Sequence, residues 1–265
     1  MPSFADCIFG YDASVMHKYL LIGGIALFSC GESSSSPDAQ PLAKDAQEID
    51  ATAIDSGMDA FDPCPGETTL EFGVVDWESN ENLFDVAVQV AGGNSASSAP
   101  NGRVVICVGQ TGPVVFTLMH PDYLPRIHTT SAEHIASQTG NGIAPGFRLL
   151  KDATRQNLYS NAQIALAVAS TTVVVMTDSQ DGAERAGVTV DIGNAFDGAF
   201  TPATDVLNLD TGNVSKADGR VLFLNTAAVP ATSTLSIATP TGCTVPASFE
   251  LASTGISSVS VSCPL

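Results

Sequence analysis

The sequence predicts an all-β protein: two tandem Greek-key β-sandwiches linked by a short helix, after a signal segment and a disordered tether. Three observations predict this. From residue 67 onward, Val, Ile, Phe and Thr recur at every second position in short runs, the spacing that puts side chains on one face of a strand. Gly, Pro, Asn and Asp fill the gaps between runs, as turns require. The series of runs occurs twice, with one helical pattern between.

The chain opens with MPSFADCIFGYDASV (1–15), which holds two Asp and no base, so Met16 is the expected true start and Cys7 falls outside the gene product. MHKYLLIGGIALFSCGESSSS (16–36) follows. Lys18 supplies a positive end. Tyr19 to Phe28 form an apolar run too short to span a bilayer, which takes about 20 residues, but long enough for an export signal. Leu27-Phe28-Ser29-Cys30 resembles the lipobox of bacterial lipoproteins, with Phe28 where a small residue is commoner. The resemblance implies that Cys30 is acylated and becomes the first mature residue; Gly31 implies sorting to the outer membrane. Residues 1–29 are then the signal segment. Residues 30–66 carry eight acidic side chains against Lys44 alone and few apolar ones, so they read as a disordered acidic tether.

The first sandwich is expected over 67–150, with strands at TLEFGVVD (69–76), DVAVQVAG (85–92), NGRVVICVG (101–109), PVVFTLMH (113–120) and RIHTT (126–130). Asn101-Gly102 marks a tight reversal. TSAEHIASQTGNGIAPG (130–146) reads as loop or frayed helix. KDATRQNLYSNAQIALAVA (151–169) places Leu158, Ala162, Ala165 and Leu166 at helical spacing with Asp152 as cap, a connector over 151–170. The second sandwich, 171–265, is expected from strands at 171–178, 186–193, 205–209, 219–225, 233–239, 247–252 and 258–263.

The halves also match each other. VVDWESNENLFDVAVQV (74–90) aligns with VVMTDSQDGAERAGVTV (174–190), and SAPNGRVVICVG (98–109) with SKADGRVLFLN (215–225). Each half has a strand, an acidic turn, a V-x-V strand, and Asn/Asp-Gly-Arg before an apolar strand. VVFTLMHPDYLP (114–125) and TLSIATPTGCT (234–244) follow. This pattern resembles the carboxypeptidase regulatory-like domains, which implies a transthyretin-like (prealbumin-like) sandwich; an Ig-like sandwich would share it. Asp76-Trp77-Glu78 departs from the family's Gly-rich opening turn, and Cys107 sits in a central strand. The family's tyrosine implies that Tyr123 packs into the sandwich corner.

Net charge is −18, with 28 acidic and 10 basic side chains. Such a surface repels nucleic-acid phosphates and anionic lipid. Four cysteines lie beyond the leader, an even number that suggests disulfides in an exported chain. Cys243 and Cys263 are the favoured pair. Cys64 with Cys107 is the second, set against a buried free Cys107. His120, His128 and His134 match no zinc spacing and read as exposed loop histidines. No G-x-S-x-G, H-E-x-x-H, G-x-G-x-x-G or P-loop occurs, so no catalytic, metal or cofactor-binding residues are assigned. Trp77, the single tryptophan, either caps the core or joins Asp76 in a glycan contact.

The expected role is a membrane-anchored, non-catalytic surface or periplasmic lipoprotein, structural, adhesive or protein-binding. Its expected partners are a lipid bilayer through acylated Cys30 and a protein or glycan, with no nucleic acid. A carbohydrate-binding accessory module is the alternative, and a metal-dependent hydrolase the second.

Overall fold

The two strand series fold as predicted into a mostly β body, but their sheets are not separate. The computed structural model describes residues 64–140, 146–202 and 207–264. The signal segment, Cys30 and the tether up to residue 63 lie outside them. The first series is β1 (Thr68–Asp76), β2 (Ala87–Val90), β3 (Ser95–Ser97), β4 (Arg103–Val108), β5 (Pro113–Met119) and β6 (Arg126–Ser131). Helix α1 (Ala132–Gly140), strand β7 (Gly146–Leu149) and helix α2 (Asp152–Asn161) follow. The second series is β8 (Ser170–Ser179), β9 (Thr189–Ile192), β10 (Gly198–Pro202), β11 (Leu209–Thr211) and β12 (Arg220–Ala227). It ends with β13 (Thr232–Ser233), β14 (Leu235–Thr239), β15 (Phe249–Glu250) and β16 (Gly255–Cys263).

The repeat is visible in the pairing. β1 pairs antiparallel with β4 as β8 does with β12, and β2 pairs with β5 as β9 does with β14. A buried serine plays one part in both halves: the Ser98 hydroxyl accepts the Val86 N–H and donates to the Leu83 carbonyl, and Ser215 does the same for Val188 and Arg185. The glycine of the Asn/Asp-Gly-Arg motif is sterically required. Gly102 (φ 75°) and Gly219 (φ 61°) take left-handed conformations, and a Cβ there would lie 2.8 Å from the Val74 carbonyl oxygen and 2.5 Å from that of Thr177. Gly219→Ala is therefore expected to cost about 2 kcal/mol, from positive φ and backbone collision together, read as a lowered urea midpoint at unchanged slope.

A nine-stranded sheet runs β11-β10-β12-β8-β16-β6-β5-β2-β3, so β16 joins the two series. It lies parallel to both β8 and β6, and all nine of its residues are buried. Its side chains alternate. Val259, Val261 and Cys263 enter the core shared with β8, β9, β12 and β14, whereas Ile256 packs on the opposite face with Trp77, Leu158, Tyr159 and Leu222. The first core lies between the sheet β4-β1-β7 and the β5-β2 part of the large sheet, around Phe72, Phe116 and Phe147.

Several local expectations change. Within the stretch expected as loop or frayed helix, Ala132–Gly140 form the helix α1. Helix α2 stops at Asn161, because the chain turns at Gln163 with φ 57°. Asp152 is not its cap: Lys151 holds the cap position, and the Asp152 carboxylate accepts from Arg155 and Gln156 one turn on. Strands β3, β7 and β10 were not expected; each is only three to five residues long. Cys64 is 2% exposed and disulfide-bonded, so the folded body takes in the last residues assigned to the tether. Among the described residues no helix is long and apolar enough to cross a membrane.

Candidate functional site

Both cysteine pairs are closed: Cys64 with Cys107 and Cys243 with Cys263. The first ties the segment before β1 to β4, the second ties the segment after β14 to the end of β16. Cys107 is therefore no free thiol.

Asp76 ends β1 and Trp77 follows it, where the sequence leaves open a core cap or a glycan contact; their surroundings are interior. Trp77 is 3% exposed, and the Arg220 guanidinium lies 5.2 Å over its ring. A face so covered is not open to a sugar ring. Asp76 is 4% exposed and organises the strand end. One carboxylate oxygen accepts the Glu78 and Ser79 N–H groups; the other accepts the Tyr123 hydroxyl at 2.7 Å and the Lys151 ammonium at 2.9 Å. Tyr123 thus sits against the first core. Burial raises the Asp76 pKa, but the Ser79 N–H, Lys151, Tyr123 and the Glu78 N–H outweigh it and hold the carboxyl well below the usual range. The lowered pKa stabilises the fold above the unfolded carboxyl's pKa of about 4, and that stability is lost as acid titrates the folded group. Asp76→Asn is expected to cost about 2 kcal/mol at neutral pH and to erase part of the loss of stability below about pH 5, measured by urea unfolding across pH.

The second polar region is a cavity of about 290 Å³ where β6, α1, β7, β8, β12 and β16 meet. His128 and His134, expected on exposed loops, are interior at 3% and 6% exposure. His128 is on β6, held between the Ser258 hydroxyl at 2.9 Å (Nδ1) and the Ser260 hydroxyl at 3.4 Å (Nε2), with its ring 4.8 Å from Phe147. Burial, then the charges of Arg126 and His134, push its pKa well below the usual value, so it is neutral at pH 7. His134 is on α1, its Nε2 3.6 Å from the Asp178 carboxylate, and neither ring nitrogen has a hydrogen-bond partner among the described residues. Thr130 Oγ1 is likewise buried without a partner.

Behind the cavity Arg126 is 1% exposed. Its guanidinium donates to the Ser258 hydroxyl at 2.8 Å and to the Arg148 carbonyl at 2.6 Å, and contacts Met176 sulfur. Burial, then Arg220 and Arg148, push its pKa down to about 9, which leaves it charged at neutral pH. Arg148 donates to Asn80 Oδ1. Arg220 faces Glu184 at 4.0 Å, and burial and Arg148 lower its pKa. Burial raises the pKa of Asp218, against the Arg220 N–H and the Arg220 and Arg148 charges. Sequence reasoning missed this cluster, because its members come from five separated segments. The one local signal is the alternation in Ser258-Val259-Ser260-Val261-Ser262, which gives β16 a face of hydroxyls. Among the described residues no group of three or more His, Cys, Asp or Glu could hold a metal ion.

No family model matches this chain, and no curated protein matches it. Solved structures similar to it include a Streptococcal ancillary pilin (14% identity, 74% of this chain and 62% of that one, TM-score 0.23). Two others are the Bacillus anthracis TIE protein (10%, 74% and 34%, 0.23) and the shaft pilin SpaA of Lactobacillus rhamnosus GG (9%, 74% and 97%, 0.25). The match thus spans less than two thirds of the first two. Superpositions at these scores carry no argument about function.

Proposed function

We propose that this is a non-catalytic structural or protein-binding module of a bacterial envelope, held at a membrane by acylated Cys30 and set off from it by the acidic tether. The observation that carries this reading is the pair of disulfides, which use all four cysteines of the body. Such bonds persist in oxidising compartments outside the cytoplasm, where the signal-like segment would send the chain. The sheet shared by both halves supports a load-bearing or displayed part. His128, the histidine nearest to serine hydroxyls, is neutral and locked between two strand serines, which supports a structural role for it. With Trp77 buried under Arg220, the observation that motivated the glycan alternative falls away.

The test is mass spectrometry of the full chain recovered from the membrane fraction of an expressing bacterium. The expected result is a mature N-terminus at lipid-modified Cys30, and Cys30→Ser is expected to shift the protein to the soluble fraction. An unmodified Cys30, or body cysteines open to alkylation in intact cells, overturns the proposal.

A further inference from the structure

The cavity poses a problem of charge and hydrogen bonding that protein groups alone do not solve. Buried polar atoms without partners cost about 1–3 kcal/mol each and are rare in native folds. Three meet here: both ring nitrogens of His134 and the Thr130 hydroxyl. Positive charge is scarce in this chain, and among the described residues away from the cavity Arg103, Lys151, Arg155 and Lys216 each pair with a carboxylate. At the cavity Arg220 faces Glu184 at 4.0 Å. Arg126, Arg148 and Arg220 crowd together and oppose one another's charge, and among the described residues neither Arg126 nor Arg148 has a carboxylate within 4.0 Å. Leu70, Phe116, Ile135 and Phe147 supply an apolar part of the wall. The volume lies at the small end of the ligand-pocket range of about 300–1,000 Å³.

We propose that this cavity binds a small organic carboxylate, its head group on Arg148 and Arg220 and its apolar body against Phe116, Ile135 and Phe147. Arginine presents forked donors that match a planar carboxylate. Asp178, Glu184 and Asp218 also border the space and disfavour a doubly charged head such as phosphate, which selects a single negative charge. Glu184, 54% exposed, stands at the mouth. This site is independent of where the protein is anchored.

Trp77 provides the readout, because Arg220 both lines the cavity and covers the only indole. The experiment titrates the oxidised protein with benzoate and hexanoate, and with the neutral benzamide and hexanamide, by Trp77 emission and calorimetry. At least one carboxylate is expected to bind and to change the emission, and its amide to bind at least about tenfold more weakly. Arg148→Gln should weaken the carboxylate about tenfold and leave the amide unchanged, and Arg148→Lys should restore part of the loss. No carboxylate binding up to about 10 mM, the result for a cavity that holds water only, overturns the proposal. So does an amide that binds as well as its acid, a comparison that needs no variant, or an Arg148→Gln protein that binds like the parent.

Discussion

Removing the Cys64–Cys107 bridge is expected to cost the body about 4 kcal/mol. The bond closes a loop with a sequence separation of 43, and the chain-entropy relation assigns that size to such a loop. The cost arises at a weak place. Cys107 lies on β4 opposite Thr69 of β1, and Cys64 shortly precedes β1, so the bond staples the start of β1 to its antiparallel partner β4. The same relation gives about 3 kcal/mol for Cys243–Cys263, with a separation of 20. Domains are stable by only about 5–15 kcal/mol, so losing both bonds removes much of the whole. Urea unfolding of Cys64→Ser/Cys107→Ser against the parent measures the first value. A difference below about 1 kcal/mol would show that the bond constrains little.

Val259→Asp is expected to prevent folding altogether. Val259 is 0% exposed at the centre of β16, in the second core, paired with Val175 on one side and Thr129 on the other. An unpaired carboxylate there costs several kcal/mol or protonates, and either outcome leaves a polar group in an apolar layer. Val259→Ala is the milder form, expected to cost about 2 kcal/mol through two lost methyl groups and the space they leave. Its value lies in how the loss is shared. Because β16 is hydrogen-bonded to β6 and β8, both halves should lose stability in one transition. Trp77 emission and far-ultraviolet circular dichroism should therefore give one midpoint in urea. Two separated midpoints would mean that the halves unfold independently.

Much of the fold was legible because its strands alternate. Leu70, Phe72 and Val74 are buried as their spacing in TLEFGVVD requires, and the Asn/Asp-Gly-Arg repeat marks equivalent turns in both halves. The joining of the halves was not legible. Ser258-Val259-Ser260-Val261-Ser262 reads as a strand and no more, whereas Ser258 and Ser260 face a buried polar layer of Arg126 and His128. Local pattern reports which positions share a face, not whether that face meets water or a distant arginine. For the same reason His128 and His134 read as loop residues, and Trp77 reads as either a core cap or a glycan contact, whereas it lies in the core beneath Arg220. The Cys243–Cys263 pairing was readable from short separation; that of Cys64 with Cys107 depended on the partner strand β1.

The position of β16 also sets the timetable of the chain's birth. A ribosome makes β6 and β8 long before residues 255–263, and each carries an unpaired edge until that segment arrives between them. Neither half can therefore complete its sheet until residues 255–263 have been made.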